Sequence, residues 1–379
     1  MDTKLLLMLF LNYLRNKEKK VNTTERLKKL TSHFEEVGCE AFFVTKLINI
    51  RYLTGFTGSA GKLWVTKDKA VLFTDGRYAE QAPAETENTS IEVVIQVQGF
   101  DKILKELSDG VAGLGLEAAS ITWEQQQQIS EWIPSVDLVP TTGLIEKIRE
   151  IKDSEELEHM KEAASIADKA LSAANEMFVP GTTEKHLAAV LDHEMRKHGA
   201  SDRSFETIVA AGPNSALPHA RPTGRPFEDG DLVICDFGAL AHGYHSDMTR
   251  SFRIGGSEEG QENEILQLVL KAQEEGLKTV VNGVAISDVD AACRAVIEEA
   301  GYGEQFLHST GHGVGLEIHE TPGIGQKSEG NLKSGQVVTV EPGIYISGLG
   351  GVRWEDSVIV TDEGYELLTH SPKSIRLNS

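Results

Sequence analysis

The sequence predicts an α/β domain followed by a mostly antiparallel α+β domain. Strand-like and helix-like segments alternate over residues ~23–140, which is typical of α/β organisation. After Asp202 the pattern changes to strands and glycine-containing turns, interrupted by helical segments near 262–281 and 287–300. With 379 residues, the chain is long enough for two ordinary domains.

The first domain begins with a helical segment over 23–36, in which a capping threonine precedes apolar residues at helical spacing. The apolar run AFFV predicts a buried strand, and a charged turn separates two further strands in KLWVTKDKAVLFTD. The later segments IEVVIQV and VAGLGLEA predict strands, while GFDKILKELSDG and WEQQQQISEWI predict helices. Together these segments form one α/β domain.

A domain boundary is predicted over 140–152, before a long amphipathic helix. Ser154, with the acidic residues after it, is suited to cap the N-terminus of this helix. A loop and a second long helix follow, and Gly199 ends that helix. We therefore divide the chain into an N-terminal extension (1–22), a first domain (23–147) and a second domain (148–379).

Composition and charge exclude several functional classes. The net charge of −21 argues against binding to nucleic acids or membrane surfaces, since both are anionic. The apolar run Leu5–Leu11 is too short to span a membrane, and Asp2 and the lack of a small-residue cleavage site argue against a signal peptide. The three cysteines are far apart, which predicts buried apolar residues and a cytoplasmic, reducing environment.

Two aspartates lie on a predicted hairpin, DLVICDFGALAHGYHSDMTRSF. A turn centred on Ala241–His242 would place Asp236 directly opposite Asp247, and a slip of two residues would still leave both on one face. Like charges facing each other are destabilising unless a cation lies between them. Two solvated aspartates are the alternative, but the first strand is too apolar to be exposed.

Two glutamates also interrupt apolar strands. Glu341 follows the run Val337–Val340, and Glu355 lies within GGVRWEDSVIVT, where Arg353 and Glu355 share a face. Glu341 could instead cap a Pro-Gly turn, and Glu355 could pair only with Arg353. Separately buried carboxylates would each cost several kcal/mol, whereas grouping around divalent ions would compensate their charge.

The segment LHSTGHGVGLEIHE contains three histidines and three glycines. An extended conformation would place His308, Thr310, His312 and Val314 on one face, while the glycines would allow another layer or a substrate to approach the backbone. Oxygen-rich ligation with one imidazole suits Mn²⁺, Co²⁺, Fe²⁺ or Zn²⁺. The carboxylates and this segment together predict a centre of two divalent ions.

The segments DFGALAHGYHSDMTRSF, HSTGHGVGLEIHE, VVTVEPGIYI and GVRWEDSVIVT resemble, in this order, the four metal-bearing motifs of the pita-bread metallopeptidases. This superfamily includes methionine aminopeptidase, prolidase and aminopeptidase P. The resemblance extends from Ile148 to the C-terminus, and residues ~23–145 resemble the creatinase-type N-terminal domain. It implies an α/β creatinase-type domain followed by an α+β pita-bread catalytic domain.

The resemblance also implies roles for individual residues. The implied ligands of two divalent ions, expected to be Mn²⁺ with Co²⁺, Zn²⁺ or Fe²⁺ as alternatives, are Asp236, Asp247, His312, Glu341 and Glu355. Glu341 is expected to accept and relay a proton, and His219 and His319 to stabilise the oxyanion and the leaving amine. The residues expected to contact substrate are His219, His308, His319 and Arg353.

Within this family, RYLTGFTGSAG and TDGRYAEQA are similar to aminopeptidase P. We therefore predict an Xaa-Pro aminopeptidase that acts on peptides with proline in second position, with Xaa-Pro dipeptidase (prolidase) as the alternative. Creatinase shares both domains but lacks the ligand set. A non-enzymatic binding paralogue is the alternative of another class. The resemblance implies a homodimer or homotetramer, and we expect neither nucleic-acid nor membrane partners.

Overall fold

The structure is a computed structural model that describes residues 22–95, 98–257 and 259–373. The chain divides into two compact units, Met1–Arg149 and Glu150–Ser379. Apart from Asn22, the predicted N-terminal extension lies outside the described residues. Among the helices that are described, none has the length and apolar content needed to cross a bilayer.

The strands described in the first unit are β1 Ala41–Val44, β2 Lys62–Thr66, β3 Ala70–Thr74, β4 Ile91–Ile95, β5 Gly113–Glu117 and β6 Asp137–Thr141. They form one sheet in the order β4-β3-β2-β1-β5-β6. The pairs β1–β2 and β2–β3 are antiparallel, while β3–β4, β1–β5 and β5–β6 are parallel. Strand β6 was not predicted, because it contains Pro140, which an edge strand tolerates.

The helices described in this unit are α1 Thr23–Ser32, α2 Phe34–Val37, α3 Leu47–Thr54, α4 Gln81–Glu85, α5 Phe100–Leu107, α6 Trp123–Trp132 and α7 Leu144–Arg149. The predicted first helix is interrupted at His33, and Asn22 rather than a threonine caps it by accepting from the Glu25 N–H. Helix α3 was not predicted; most of its residues are buried, so it has no clear polar face. The core includes Phe43, Trp64 and Leu114.

The strands described in the second unit are β7 Asp202–Arg203, β8 Ile208–Ala211, β9 Leu232–Phe237, β10 Ala239–Ala241, β11 Tyr244–His245, β12 Met248–Arg253, β13 Gly311–Gly313, β14 Glu320–Ile324, β15 Val337–Val340, β16 Gly343–Ile346, β17 Gly350–Arg353, β18 Asp356–Thr361 and β19 Gly364–Leu367. They form four sheets, ordered β12-β9-β8, β11-β10-β7, β14-β13-β15-β18-β19 and β16-β17. All these described pairings are antiparallel, as predicted.

Four α-helices are described in the second unit: α8 Ser154–Ala173, α9 Glu184–Lys197, α10 Gln261–Thr279 and α11 Ile286–Glu299. Apolar residues of α8 and α9 share one core with β8, β9 and β12, and those of α10 and α11 share another with β15, β17 and β18. The cap of α8 is Asp153, not Ser154, because its carboxylate accepts from two backbone N–H groups in a capping box with Glu156. The cysteines are free and buried, as predicted.

Candidate metal centre and active site

Asp236 lies on β9, and Asp247 directly precedes β12, the antiparallel partner of β9. Asp236 is opposite Thr249, not opposite Asp247 as the predicted turn required. The two-residue turn is formed by His242 and Gly243, which both have positive φ values, 51° and 80°. The register is therefore displaced by two residues, which keeps Asp236 and Asp247 on the same face of the pair.

The two glutamates lie at strand ends, next to this pair. Glu341 directly follows β15, and its backbone N–H donates to the Thr310 carbonyl at 2.7 Å. Glu355 directly precedes β18 and is only 1% exposed. Its carboxylate accepts a 2.7 Å hydrogen bond from the hydroxyl of Thr249, the residue opposite Asp236. Strand pairing thus places both glutamates beside the aspartates.

His312 lies on β13 and faces these carboxylates with Nε2. Its Nδ1 contacts the Gly313 carbonyl at 2.9 Å, and because a carbonyl only accepts, Nδ1 carries a proton. Burial lowers the pKa of His312, which favours the neutral ring. Nε2 then carries a lone pair, and this atom lies 3.5 Å from oxygens of both Asp247 and Glu341. A lone pair beside two carboxylates is an arrangement that a bound cation would stabilise.

The electrostatics of the group support the same conclusion. Burial, followed by the neighbouring carboxylates, raises the pKa values of Asp247 and Glu355 well above the usual range. Burial also raises the pKa of Glu341 to about 8, although Arg353 opposes this shift. Oδ1 of Asp236 is buried and lacks a hydrogen-bond partner in the described part of the chain. The residues present therefore fit divalent cations.

Ligand atoms of Asp247, His312 and Glu355 lie within 4.8 Å of one another. All the site residues predicted from the sequence line one cavity of about 400 Å³: Asp236, Asp247, His312, Glu341, Glu355, His219, His308, His319 and Arg353. The sequence prediction missed the apolar residues Phe205, Ile208 and Ile318 in this lining. Their sequence context contains no signal that separates them from ordinary core residues.

The predicted extended face of the histidine segment is only partly present, because β13 is limited to Gly311–Gly313. His308 and His312 line the cavity, whereas the Thr310 hydroxyl donates to buried Asp290 at 2.8 Å. The glycines allow neighbouring strands to approach: a Cβ at Gly311 would lie 2.0 Å from the Thr339 carbonyl oxygen. That space belongs to the protein's own backbone rather than to substrate.

Tyr345 is a central residue that the sequence prediction missed. Its hydroxyl accepts from Nη1 of Arg353 at 2.7 Å and lies 2.9 Å from Nε2 of His308. Nδ1 of His308 contacts the Ser309 carbonyl, so Nδ1 donates there and Nε2 accepts from Tyr345. Tyr345 alternates with Gly343 and Glu341 along the chain, which is the signal that could have identified it.

Arg353 is 2% exposed, and all three of its guanidinium nitrogens donate within the protein. Nη2 pairs with Asp236 at 2.5 Å, Nε donates to Thr249, and Nη1 donates to Tyr345 and the Pro218 carbonyl. Arg353 also lines the cavity, so its predicted contact with substrate stays a prediction. The hydrogen-bond geometry favours a role in holding Asp236, because no donor nitrogen remains without a partner.

A second support, also missed, lies behind the histidine segment. Asp290 on α11 accepts from the backbone N–H of Thr310 and pairs with Arg294 one helical turn later. Arg294 in turn donates to the His308 carbonyl at 3.1 Å. His245, two residues before Asp247, contacts the Ser204 hydroxyl and does not line the cavity.

Comparisons with known proteins cover both units. The model of the creatinase/prolidase N-terminal domain matches residues 26–151, and that of metallopeptidase family M24 matches residues 158–362. An Xaa-Pro dipeptidase from Bacillus anthracis has a TM-score of 0.89 at 42% identity, covering 94% of this chain and 99% of that one.

An X-Pro aminopeptidase from Thermotoga maritima has a TM-score of 0.84 at 35% identity, with 90% and 98% of the two chains covered. The sequence of an Xaa-Pro dipeptidase from Pyrococcus furiosus is 38% identical over 352 residues, which covers 93% of this chain and 99% of that protein. These matches confirm the predicted fold, a creatinase-type domain followed by a pita-bread catalytic domain.

Proposed function

The chain belongs to metallopeptidase family M24, and from this premise we propose that it is an Xaa-Pro dipeptidase. Such an enzyme hydrolyses the bond between an N-terminal residue and a following proline. The observation that carries the proposal is the convergence of four carboxylates and His312 in one cavity with His219, His308 and His319. The sequence alone favoured an aminopeptidase, but relatives named Xaa-Pro dipeptidase favour the alternative.

The Thermotoga maritima X-Pro aminopeptidase keeps the aminopeptidase as a second candidate. The two activities differ in the length of peptide that the cavity accepts. Both require the same chemistry at the bond before proline. The assignment to either one therefore depends on substrates rather than on the metal centre.

We propose that Asp236, Asp247, His312, Glu341 and Glu355 hold two divalent ions, with Mn²⁺ as the first candidate. Mn²⁺ suits an oxygen-rich set with one imidazole, and Co²⁺, Zn²⁺ and Fe²⁺ are the alternatives. When bound, such ions polarise the scissile carbonyl and lower the pKa of a water molecule. Arg353 holds Asp236 through a buried ion pair, so that its carboxylate keeps one orientation.

Glu341 is the proposed proton carrier. Its carboxylate lines the cavity among the other proposed ligands, so it can take up a proton from a molecule held there and release it again. It would accept the proton of the attacking water and deliver it to the leaving prolyl nitrogen. Its Oε1 also accepts from the Thr339 hydroxyl at 3.2 Å, which fixes the carboxylate at the cavity wall.

His319 and His219 are proposed to stabilise the oxyanion and the leaving amine. His308 has a different proposed role, because both of its ring nitrogens are engaged by Ser309 and Tyr345. Its ring offers a surface, which lines the cavity together with the apolar side chains of Phe205, Ile208 and Ile318. These side chains suit the rigid proline ring, which has no N–H to donate.

The test uses three peptides with Mn²⁺: Ala-Pro, Ala-Pro-Ala and Ala-Ala-Ala, with alanine release as the readout. We expect fast hydrolysis of Ala-Pro and slow or no hydrolysis of the two tripeptides. Fast alanine release from Ala-Pro-Ala would establish the aminopeptidase instead. Preference for Ala-Ala-Ala would contradict both assignments. Protein that lacks stoichiometric metal and cleaves none of the peptides would be a binding paralogue.

A further inference from the structure

A second group of metal-binding side chains lies outside the cavity. His159 and Glu162 on α8 and His242 at the tip of the β10–β11 hairpin have ligand atoms within 4.8 Å of one another. Nε2 of His242 lies 2.9 Å from a Glu162 carboxylate oxygen. The rings of His159 and His242 stack with centroids 4.5 Å apart and planes inclined by 24°. The proposed peptidase mechanism uses none of these residues.

Local structure explains why the three side chains meet. His159 and Glu162 are three residues apart on α8, so they lie on the same face of the helix. His242 occupies the first position of the two-residue turn, with φ of 51°. The Tyr244 ring stacks on His159 with centroids 5.6 Å apart, and this packing supports the imidazole from the hairpin side. The donor set therefore joins two separate elements of the fold.

We propose that His159, Glu162 and His242 form a surface site for one divalent transition ion of the Zn²⁺, Cu²⁺ or Ni²⁺ class. Two imidazoles and a carboxylate are borderline donors that these ions prefer over Mg²⁺ or Ca²⁺. Ion–ligand distances of about 2.0–2.2 Å in a tetrahedral site separate the ligand atoms by about 3.3–3.5 Å. The ligand atoms now lie within 4.8 Å of one another, so a bound ion would draw them closer together by side-chain rotation.

The exposure of the three side chains permits this rotation. The side chains of His242 and Glu162 are 48% and 57% exposed, and that of His159 is 30% exposed. Glu155 lies one turn before His159, with a carboxylate oxygen 3.9 Å from Nε2, and can complete the coordination in place of water. A bound ion would tie α8 to the β10–β11 hairpin, which lies between Asp236 and Asp247 in the sequence.

The test compares the zinc content of untagged wild-type protein with that of His242→Asn. Asparagine tolerates positive φ, so this variant keeps the turn and loses only the imidazole. Both proteins are dialysed against the same zinc buffer, and bound zinc is measured by elemental analysis. Because the catalytic centre is intact in both, its zinc cancels in the difference. We expect the wild-type protein to hold one more zinc per chain.

Glu162→Gln and His159→Gln are the second and third variants, and each should show the same deficit of one zinc. Zinc should also raise the thermal midpoint of the wild-type protein more than that of the variants. Equal zinc content in all four proteins would overturn the proposal and leave the Glu162–His242 contact as a surface ion pair. All variants should hydrolyse Ala-Pro at the wild-type rate with Mn²⁺. The test itself measures zinc content rather than activity, so a failure of the dipeptidase proposal would not alter its result.

Discussion

The rings of His312 and His319 meet edge to face, with centroids 4.4 Å apart. Burial lowers the pKa of His319, and the neighbouring His312 ring lowers it further. His319 therefore favours the neutral form, which has one N–H to donate and one lone pair to accept. Such a ring, next to the proposed metal ligand and lining the same cavity, can exchange a proton with a substrate.

The first prediction concerns His319→Ala. We expect this variant to keep its metal content and to lose about 10²-fold or more in turnover of Ala-Pro, the usual scale for an acid–base or oxyanion group. Steady-state kinetics and elemental analysis of the same preparation measure both quantities. His312→Ala is the matched control and should lose metal together with activity. Parallel loss of metal and activity in His319→Ala would make it a ligating or structural residue.

The second prediction concerns metal removal. Dialysis against EDTA should abolish activity, and Mn²⁺ or Co²⁺ should restore it. Asp247→Asn and Glu355→Gln should each bind less metal and lose at least about 10²-fold in activity, because an uncharged amide is a poor ligand. Full activity of the metal-free protein would refute the metal-dependent mechanism.

A stability measurement separates lost ligation from misfolding in these two variants. The raised pKa values of Asp247 and Glu355 reflect burial and mutual repulsion of the carboxylates. In metal-free protein, removing one charge relieves that repulsion. Each variant without metal should therefore unfold at a temperature at least as high as metal-free wild-type protein.

Strand periodicity explains why the aspartates could be predicted from the sequence. The side-chain period of two determines that Asp236 and Asp247 share a face, and a slip of two residues preserves that face. The residue opposite Asp236 depends on the turn, and the turn depends on the positive φ of His242. Histidine adopts this conformation infrequently, so the sequence pattern did not indicate it.

The supporting residues could not be predicted in the same way. Asp290 contacts Thr310 from a helix twenty residues earlier, and its helical spacing to Arg294 is also typical of an ordinary ion pair. Tyr345 contacts His308 across 37 residues of sequence. Such contacts depend on the packing of separate elements, which local patterns do not specify.

The third prediction concerns Tyr345→Phe. Loss of the hydroxyl removes the hydrogen bonds that Tyr345 makes with Nη1 of Arg353 and with Nε2 of His308 in a buried site. We expect a loss of about 1–3 kcal/mol in unfolding free energy, and about tenfold lower turnover with unchanged metal content, the usual scale for a group that orients ligands. Tyr302→Phe, whose hydroxyl bonds Glu264 at the surface, should change neither quantity appreciably. Equal effects of the two variants would contradict the positioning role.

The last prediction concerns the pH dependence of stability that His308 imposes. Burial, and then the nearby Arg353 charge, lowers the pKa of His308 from 6.5 to about 4. Between these two values the unfolded chain binds a proton at this residue and the folded protein does not. By linkage, the contribution of His308 to stability is complete above pH 6.5 and is lost as the pH falls toward 4.

The full shift corresponds to about 3 kcal/mol, and partial contact of the ring with solvent reduces it to about 1–2 kcal/mol. His308→Gln has no group that titrates here, although it loses the hydrogen bond with Tyr345. The unfolding free energy of metal-free wild-type protein should therefore exceed that of the variant most at pH 7.5. Urea unfolding should show this difference shrinking by about 1–2 kcal/mol by pH 4.5. Only the wild-type protein has a side chain at this position that binds a proton more readily in the unfolded chain. A constant difference across this range would show that His308 is protonated equally easily in the folded and unfolded states. That result would contradict the neutral ring that accepts the hydrogen bond from Tyr345.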